Sequence, residues 1–199
     1  MADSLKDEES SKPGIGMRLT IASISKRFPR ARNISTQWLF KRLYNSQESQ
    51  SSQESQNSQG SHTFQETQSS ASRVKILDCR AEDEYNISHI DGAVRVNYES
   101  SPEEILHAAD IDKSTNDLLD VVCYCSVGYR SALVAQKLQD YVNKSMGNDH
   151  LSFYNMEGSL FKWANENRHM VDQKGDATKF AHPYNAVFGK LLNSELRKS

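Results

Sequence analysis

The stretch from Leu118 to Arg130 constrains this chain more than any other. An apolar run, Leu118 to Tyr124, is broken only by Asp120 and leads without a spacer into Cys125-Ser126-Val127-Gly128-Tyr129-Arg130. Ser131 to Asn143 then places Val134, Leu138, Tyr141 and Val142 on one helical face. A buried strand, a short loop and an amphipathic helix in direct succession put Cys125 where backbone N–H groups converge at the positive end of a helix dipole. Both effects favour an anion, so the arrangement predicts a Cys125 thiolate, with Arg130 adding a fixed positive charge. Gly128 permits a left-handed turn, which lets successive amides curl into an anion-binding concavity.

The flanking sequence predicts an α/β fold, a mostly parallel central sheet flanked by helices on both faces. Val74 to Leu77, Ala93 to Val96, Leu118 to Tyr124 and Leu151 to Asn155 read as short buried strands. Between them Glu82 to Tyr85 and Pro102 to Ala109 read as helices, the second opened by a well-placed proline. Ahead of them Ser35 to Leu43 reads as a short capped helix, the first element of the fold.

Three segments read as peripheral. Residues 1–32 predict an N-terminal arm, polar at first, then basic with Arg18, Lys26, Arg27, Arg30 and Arg32 and no acidic residue. That composition resembles an organellar presequence if synthesis starts at Met17, a mitochondrial alternative to the cytoplasmic location otherwise expected. Residues 45–72 are almost wholly Ser, Gln, Glu and Thr and predict a disordered insert within a domain spanning 33–166. Residues 167–199 predict a tail with an amphipathic helix, since Tyr184, Val187, Phe188, Leu191, Leu192 and Leu196 fall on one helical face. Its own domain is the expected cover for that stripe; a docked partner protein or second subunit is the alternative.

A formal charge of -2 supplies no global basic field, so neither nucleic acid nor membrane is expected as a partner. No apolar run is long enough to span a bilayer. The three cysteines, Cys79, Cys123 and Cys125, lack the spacing of a disulfide framework, and no second Cys or His pair completes a zinc site. Neither metal nor cofactor is expected. Cys123, inside the strand, and Cys79, at the end of the first, read as core residues.

Several motifs in order carry a family resemblance. Leu77-Asp78-Cys79-Arg80-Ala81-Glu82-Asp83-Glu84-Tyr85, followed by His89-Ile90-Asp91-Gly92-Ala93, resembles the first signature of rhodanese-like domains. Cys125 to Ser131 is similar to their active loop, and Leu151 to Trp163, with Gly158, to their closing strand and turn. Glu157 departs from the pattern, standing where the family often has a glycine. The resemblance implies a single-domain sulfurtransferase that carries sulfur as a persulfide on Cys125, with Arg130 as the second catalytic residue and Ser126, Val127, Gly128 and Tyr129 binding substrate. Asp78, Arg80, His89 and Gly92 are expected to fix the turn after the strand rather than perform chemistry.

Phosphatases and arsenate reductases of the same architecture also use a cysteine loop ending in arginine, but one residue longer than the six from Cys125 to Arg130. The tighter ring suits a single terminal sulfur, and neither the loop nor its immediate flanks supply an acid for a leaving oxygen. The expected partners are therefore a small sulfur donor, a thiol or cyanide acceptor, and a possible protein acceptor of sulfur. A different class of reading is a catalytically weak interaction module, motivated by five Ser-Gln dipeptides at Ser46, Ser49, Ser52, Ser55 and Ser58; simple repeat expansion accounts for them as well.

Overall fold

The computed structural model describes residues 13–51, 73–112, 117–145 and 150–199, with side chains at 45–51 outside the description. In chain order the elements are α1 (Ile15–Arg27), β1 (Arg32–Ile34), α2 (Thr36–Ser51), β2 (Arg73–Asp78), α3 (Glu82–Ile87), β3 (Val94–Arg95) and α4 (Pro102–Ala108). They continue as β4 (Leu119–Tyr124), α5 (Tyr129–Ser145), β5 (Leu151–Met156), α6 (Ser159–Asn165), β6 (Met170–Val171) and β7 (Ala177–Thr178). Strands β1-β5-β4-β2-β3 form, in that order, one sheet whose neighbours are all parallel. The central strand β4 therefore has partners on both edges and helices on both faces.

Alternation along β4 divides the core in two. Val122 and Tyr124 face a layer built from Met17, Ile24 and Phe28, Leu39 of α2, and Leu160, Phe161 and Trp163 of α6. Val121, Cys123 and Cys125 face the opposite layer, with Ile105 and Leu106 of α4 and Val134, Leu138 and Val142 of α5. A strand buried on both faces needs apolar residues at nearly every position, which is why the run reads as continuous rather than alternating.

Three boundary expectations are corrected. Residues 1–32 are not simply an arm: α1 places Met17 and Ile24, with Phe28 just beyond its end, inside the first core layer. Each such burial contributes roughly 1.5 to 3 kcal/mol, so removal of this segment as a presequence would open the core. The basic composition of this segment masks an apolar spacing of seven and four, Met17, Ile24 and Phe28. Strand β1 was also not anticipated; three residues at a sheet edge carry too little pattern to register. The insert expected at 45–72 begins inside α2, which continues to Ser51, while residues 52–72 lie outside those described.

The third correction concerns the tail. Residues 167–199 contain no α-helix; they form the antiparallel β6–β7 hairpin and two single 3-10 turns, Phe188–Leu191 and Ser194–Leu196. Side-chain bonds compete with the helix here. The Asn185 Oδ1 accepts from the N–H groups of Val187 and Phe188 at 3.0 and 2.9 Å, and Tyr184 turns into the left-handed region at φ +63°. Gly189 lies so close to Pro183 that a Cβ there would stand 3.0 Å from its Cβ and carbonyl oxygen. The expected covering of the stripe by its own domain is nonetheless found for Leu192 and Leu196, both buried in the first core layer, but not for Val187, which is exposed. The domain core thus runs beyond both expected limits, 33 and 166.

Candidate active site

Cys125 follows β4 directly and α5 starts at Tyr129, so the loop fills the gap between the C-terminal edge of the sheet and a helix N-terminus. The Gly128 N–H donates to the Cys125 Sγ at 3.1 Å, a bond made possible by φ +114° at that glycine. The start of the loop is tied to α6: Leu160 and Phe161 N–H donate to the carbonyls of Cys125 and Ser126, both at 3.0 Å. The Cys125 N–H donates to the Ser159 hydroxyl at 3.1 Å, which in turn donates to the Met156 carbonyl. The thiol-bearing residue is 2% exposed.

Burial by itself would raise the Cys125 thiol. The charge of Arg130 and hydrogen bonds from the Ser131 N–H, the Ser131 hydroxyl and the Gly128 N–H outweigh it, and hold the group below its ordinary value. The Ser131 hydroxyl has one proton, and Asn155 Oδ1, 2.7 Å away, competes for it. Asn155 is oriented by donating to Asn33 Oδ1 at 2.9 Å, so β1 and β5 both support the loop from behind. Cys79 differs: burial first, then contact with Cys123 and the charges of Cys125 and Asp78, push its thiol well above the ordinary range. It and Cys123 sit in the second core layer, as their sequence context suggested.

The candidate residues are not equivalent. Cys125, Gly128 and Arg130 converge. Ser126 and Val127 are buried, Val127 in the first core layer and Ser126 with its hydroxyl on Glu84 Oε1 at 2.6 Å, so neither side chain projects to the surface; only their backbone groups remain to line a concavity. Tyr129 is half exposed, with its ring edge-on to Phe28 at 5.0 Å.

Glu84 was not anticipated as part of the site. From α3 its carboxylate accepts both ends of the Arg130 fork, Oε2 from Nη1 at 2.7 Å and Oε1 from Nη2 at 2.9 Å. Burial would raise its carboxyl, but the hydrogen bonds from Arg130 and Ser126 and the charges of Arg130 and Arg80 hold it below the usual range, so it is ionised at neutral pH. The signal for it was present in the Glu-aromatic step of the first motif, while a search confined to the cysteine loop and its flanks could not reach it. The Arg130 guanidinium also lies 4.7 Å from the Tyr184 ring centroid and 6.0 Å from that of Tyr98. Among the described residues no cluster of three or more His, Cys, Asp or Glu could hold a metal ion.

The profile of the Rhodanese-like domain family matches residues 61–166. No curated protein matches the chain in sequence. Among solved structures, the chain is similar to the human single-domain sulfurtransferase TSTD1, at 16% identity, covering 68% of this chain and 96% of that one, with a TM-score of 0.40. It is also similar to RPA3614 of Rhodopseudomonas palustris, a protein of unknown function described as a possible tyrosine phosphatase, at 17% identity, 84% and 97% coverage, and a TM-score of 0.41. A third is the rhodanese-like domain of Alr3790 from Anabaena, at 22% identity, 50% and 65% coverage, and a TM-score of 0.37. Because the family profile spans more than half of the 199 residues and includes the first signature, the cysteine loop and the closing strand, this chain belongs to the rhodanese-like domain family.

Proposed function

We propose that the protein is a sulfurtransferase that carries sulfane sulfur as a persulfide on Cys125. The observation that carries this reading is the thiol itself: nearly buried, held below its ordinary value beside Arg130, and bonded at its sulfur by the Gly128 N–H inside a six-residue loop. In the first half-reaction the Cys125 thiolate attacks the outer sulfur of a donor. The donor S–S bond breaks and sulfite leaves from thiosulfate, or a thiol from a persulfide. In the second, a thiol or cyanide acceptor attacks the outer sulfur of the Cys125 persulfide and regenerates the thiolate. The persulfide extends the anion by one atom, and the loop amides and Arg130 stabilise it in both forms.

Ester hydrolysis is less well served. A phosphatase needs a protonated acid for the leaving oxygen, and Glu84, the carboxyl group bonded to this loop, is ionised with both oxygens committed to Arg130 and Ser126. The interaction-module reading rests on Ser-Gln dipeptides of which two, at Ser46 and Ser49, lie within α2 and three follow it, all outside the described side chains. No helix among the described residues is long and apolar enough to cross a membrane; a cytoplasmic site of action, with small donors and a thiol or protein acceptor, completes the proposal.

Intact-mass measurement after exposure to thiosulfate or an alkyl persulfide tests it. Wild type should gain one sulfur and lose it to added thiol, and Cys125→Ser should gain none. An equal adduct on the variant, or none on wild type with either donor, would overturn the assignment.

A further inference from the structure

The family match ends at residue 166, yet a residue far beyond it lies against the catalytic arginine. Tyr184 sits at the tip of a turn fixed at both ends. On one side the Ala181 N–H donates to the Leu196 carbonyl at 2.7 Å and Lys198 N–H returns to the Ala181 carbonyl at 3.0 Å, with Ala181, Leu192 and Leu196 buried. On the other, Asn165 Nδ2 donates to the Leu191 carbonyl and Asn165 Oδ1 accepts from the Asn193 N–H. Within the turn the Tyr184 N–H donates to His182 Nδ1 at 3.0 Å. The backbone of Tyr184 is left-handed, a conformation that bulky side chains rarely adopt and that persists only where the surroundings enforce it. The residue is 43% exposed, so it is not a core anchor.

What the ring does is visible at Arg130. The end-on fork of the guanidinium is taken by Glu84, and Nη2 also donates to the Ser126 hydroxyl at 2.9 Å. The Tyr184 ring lies against the group at 4.7 Å, and Tyr98 stands further off at 6.0 Å. The Tyr98 segment is itself tethered, because Lys137 Nζ donates to the carbonyls of Tyr98 and Ser100 at 2.8 and 2.6 Å. An oxyanion gains most from arginine when it accepts two parallel N–H bonds from the fork; here Glu84 holds the Nη1/Nη2 edge, Ser126 shares Nη2, and the Tyr184 ring narrows the approach to the rest.

We infer that Tyr184, with Tyr98, is a specificity-determining residue that withholds the Arg130 guanidinium from oxyanions and so directs the Cys125 site to persulfide donors rather than to thiosulfate. This rests on the sulfurtransferase reading and names its donor class. The step balances without an added oxidant: the Cys125 thiolate attacks the outer sulfur of a hydropersulfide RSSH, the S–S bond breaks, and the proton carried by the transferred sulfur passes to the departing RS⁻, leaving the Cys125 persulfide anion and RSH.

The test compares kcat/KM for an alkyl hydropersulfide and for thiosulfate in wild type, Tyr184→Ala and Tyr184→Phe, each checked for an unchanged thermal midpoint. Wild type should favour the persulfide. Tyr184→Ala should narrow that preference by about two- to thirtyfold, the span of a cation–π contact, mainly through a lower KM for thiosulfate. Tyr184→Phe, which keeps the ring, should behave as wild type. A second measurement needs no variant: sulfate, matched in ionic strength by chloride, should not protect wild-type Cys125 from alkylation. A preference for thiosulfate, equal loss with both donors in Tyr184→Ala, an unchanged ratio, or competitive protection by sulfate would each overturn the inference while leaving sulfur loading on Cys125 intact. Absence of loading from either donor would instead remove the sulfurtransferase reading and the inference with it.

Discussion

Two arginine–carboxylate pairs lie near the C-terminal edge of the sheet, and their settings differ. Arg80 and Asp78 are both fully enclosed: Arg80 Nε and Nη2 donate to the Asp78 carboxylate, Nη2 also reaches the Ser88 carbonyl, and the Tyr124 hydroxyl donates to Asp78 Oδ2 at 2.6 Å. The Tyr124 oxygen in turn accepts the Ile90 N–H at 3.1 Å, so the pair knits the end of β2, the turn after α3 and the end of β4 together. Arg130 holds Glu84 end-on, through Nη1 and Nη2 rather than Nε and Nη2, and its side chain stays 11% exposed beside the thiol. A sealed pair can only hold the fold. A pair with one edge at the surface can also act on what enters, and its charge bears directly on the nucleophile.

That contrast predicts separable consequences. The largest effect is expected from Arg80→Ala, which leaves Asp78 buried without its counter-charge and should cost about 3 to 5 kcal/mol of stability. Urea denaturation measures this, and a loss below about 1 kcal/mol would mean that water or local rearrangement replaces the arginine.

Arg130→Gln should act chiefly on chemistry. Because Arg130 is the leading influence lowering the Cys125 thiol, its removal should move the pH midpoint of Cys125 alkylation upward, and sulfur loading at neutral pH should fall with the thiolate fraction. In wild type the midpoint should lie below the roughly 8.5 of a free thiol. An unmoved midpoint in Arg130→Gln would assign the thiolate to the loop amides alone and dissolve the distinction between the two pairs.

The smallest effect is expected from Glu84→Gln, which should cost about 1.5 to 3 kcal/mol at neutral pH through the hydrogen bonds to charge that it loses. The carboxyl of Glu84 is lowered in the folded state, so its contribution is fully present above the ordinary glutamate range near 4.3 and is lost as pH falls through its lower folded value. The stability gap between wild type and variant should therefore shrink in acid. Glu166, lowered despite its burial by Lys162, Arg168 and Thr36, is retained in both proteins and cancels from the difference. A gap independent of pH would show that packing, not charge, connects Glu84 to the loop.

How much of this was legible beforehand depends on the range of each signal. Strands β2, β4 and β5 and helices α4 and α5 were anticipated to within a few residues because period and apolar density are local properties. The tail misled for an instructive reason. Its stripe had helical spacing, but Pro183, Asn185 and Gly189 supplied competing turn chemistry, and burial of Leu192 and Leu196 did not require a helix. For α1, a basic composition obscured Met17, Ile24 and Phe28, whose importance depends on the surface that they cover.

By itself, the sequence determined that a cysteine would follow a buried strand at a helix N-terminus, with glycine and arginine close behind, because all of these lie within six residues. It also determined a parallel α/β sheet, since strands apolar at nearly every position must be covered on both faces. Only the tertiary structure decided what meets Arg130. Glu84 arrives from 46 residues upstream and Tyr184 from the far end of the chain. Neither is assigned to the site by a local pattern; each is placed by the packing of a separate element, and such convergence exists only once the chain has closed.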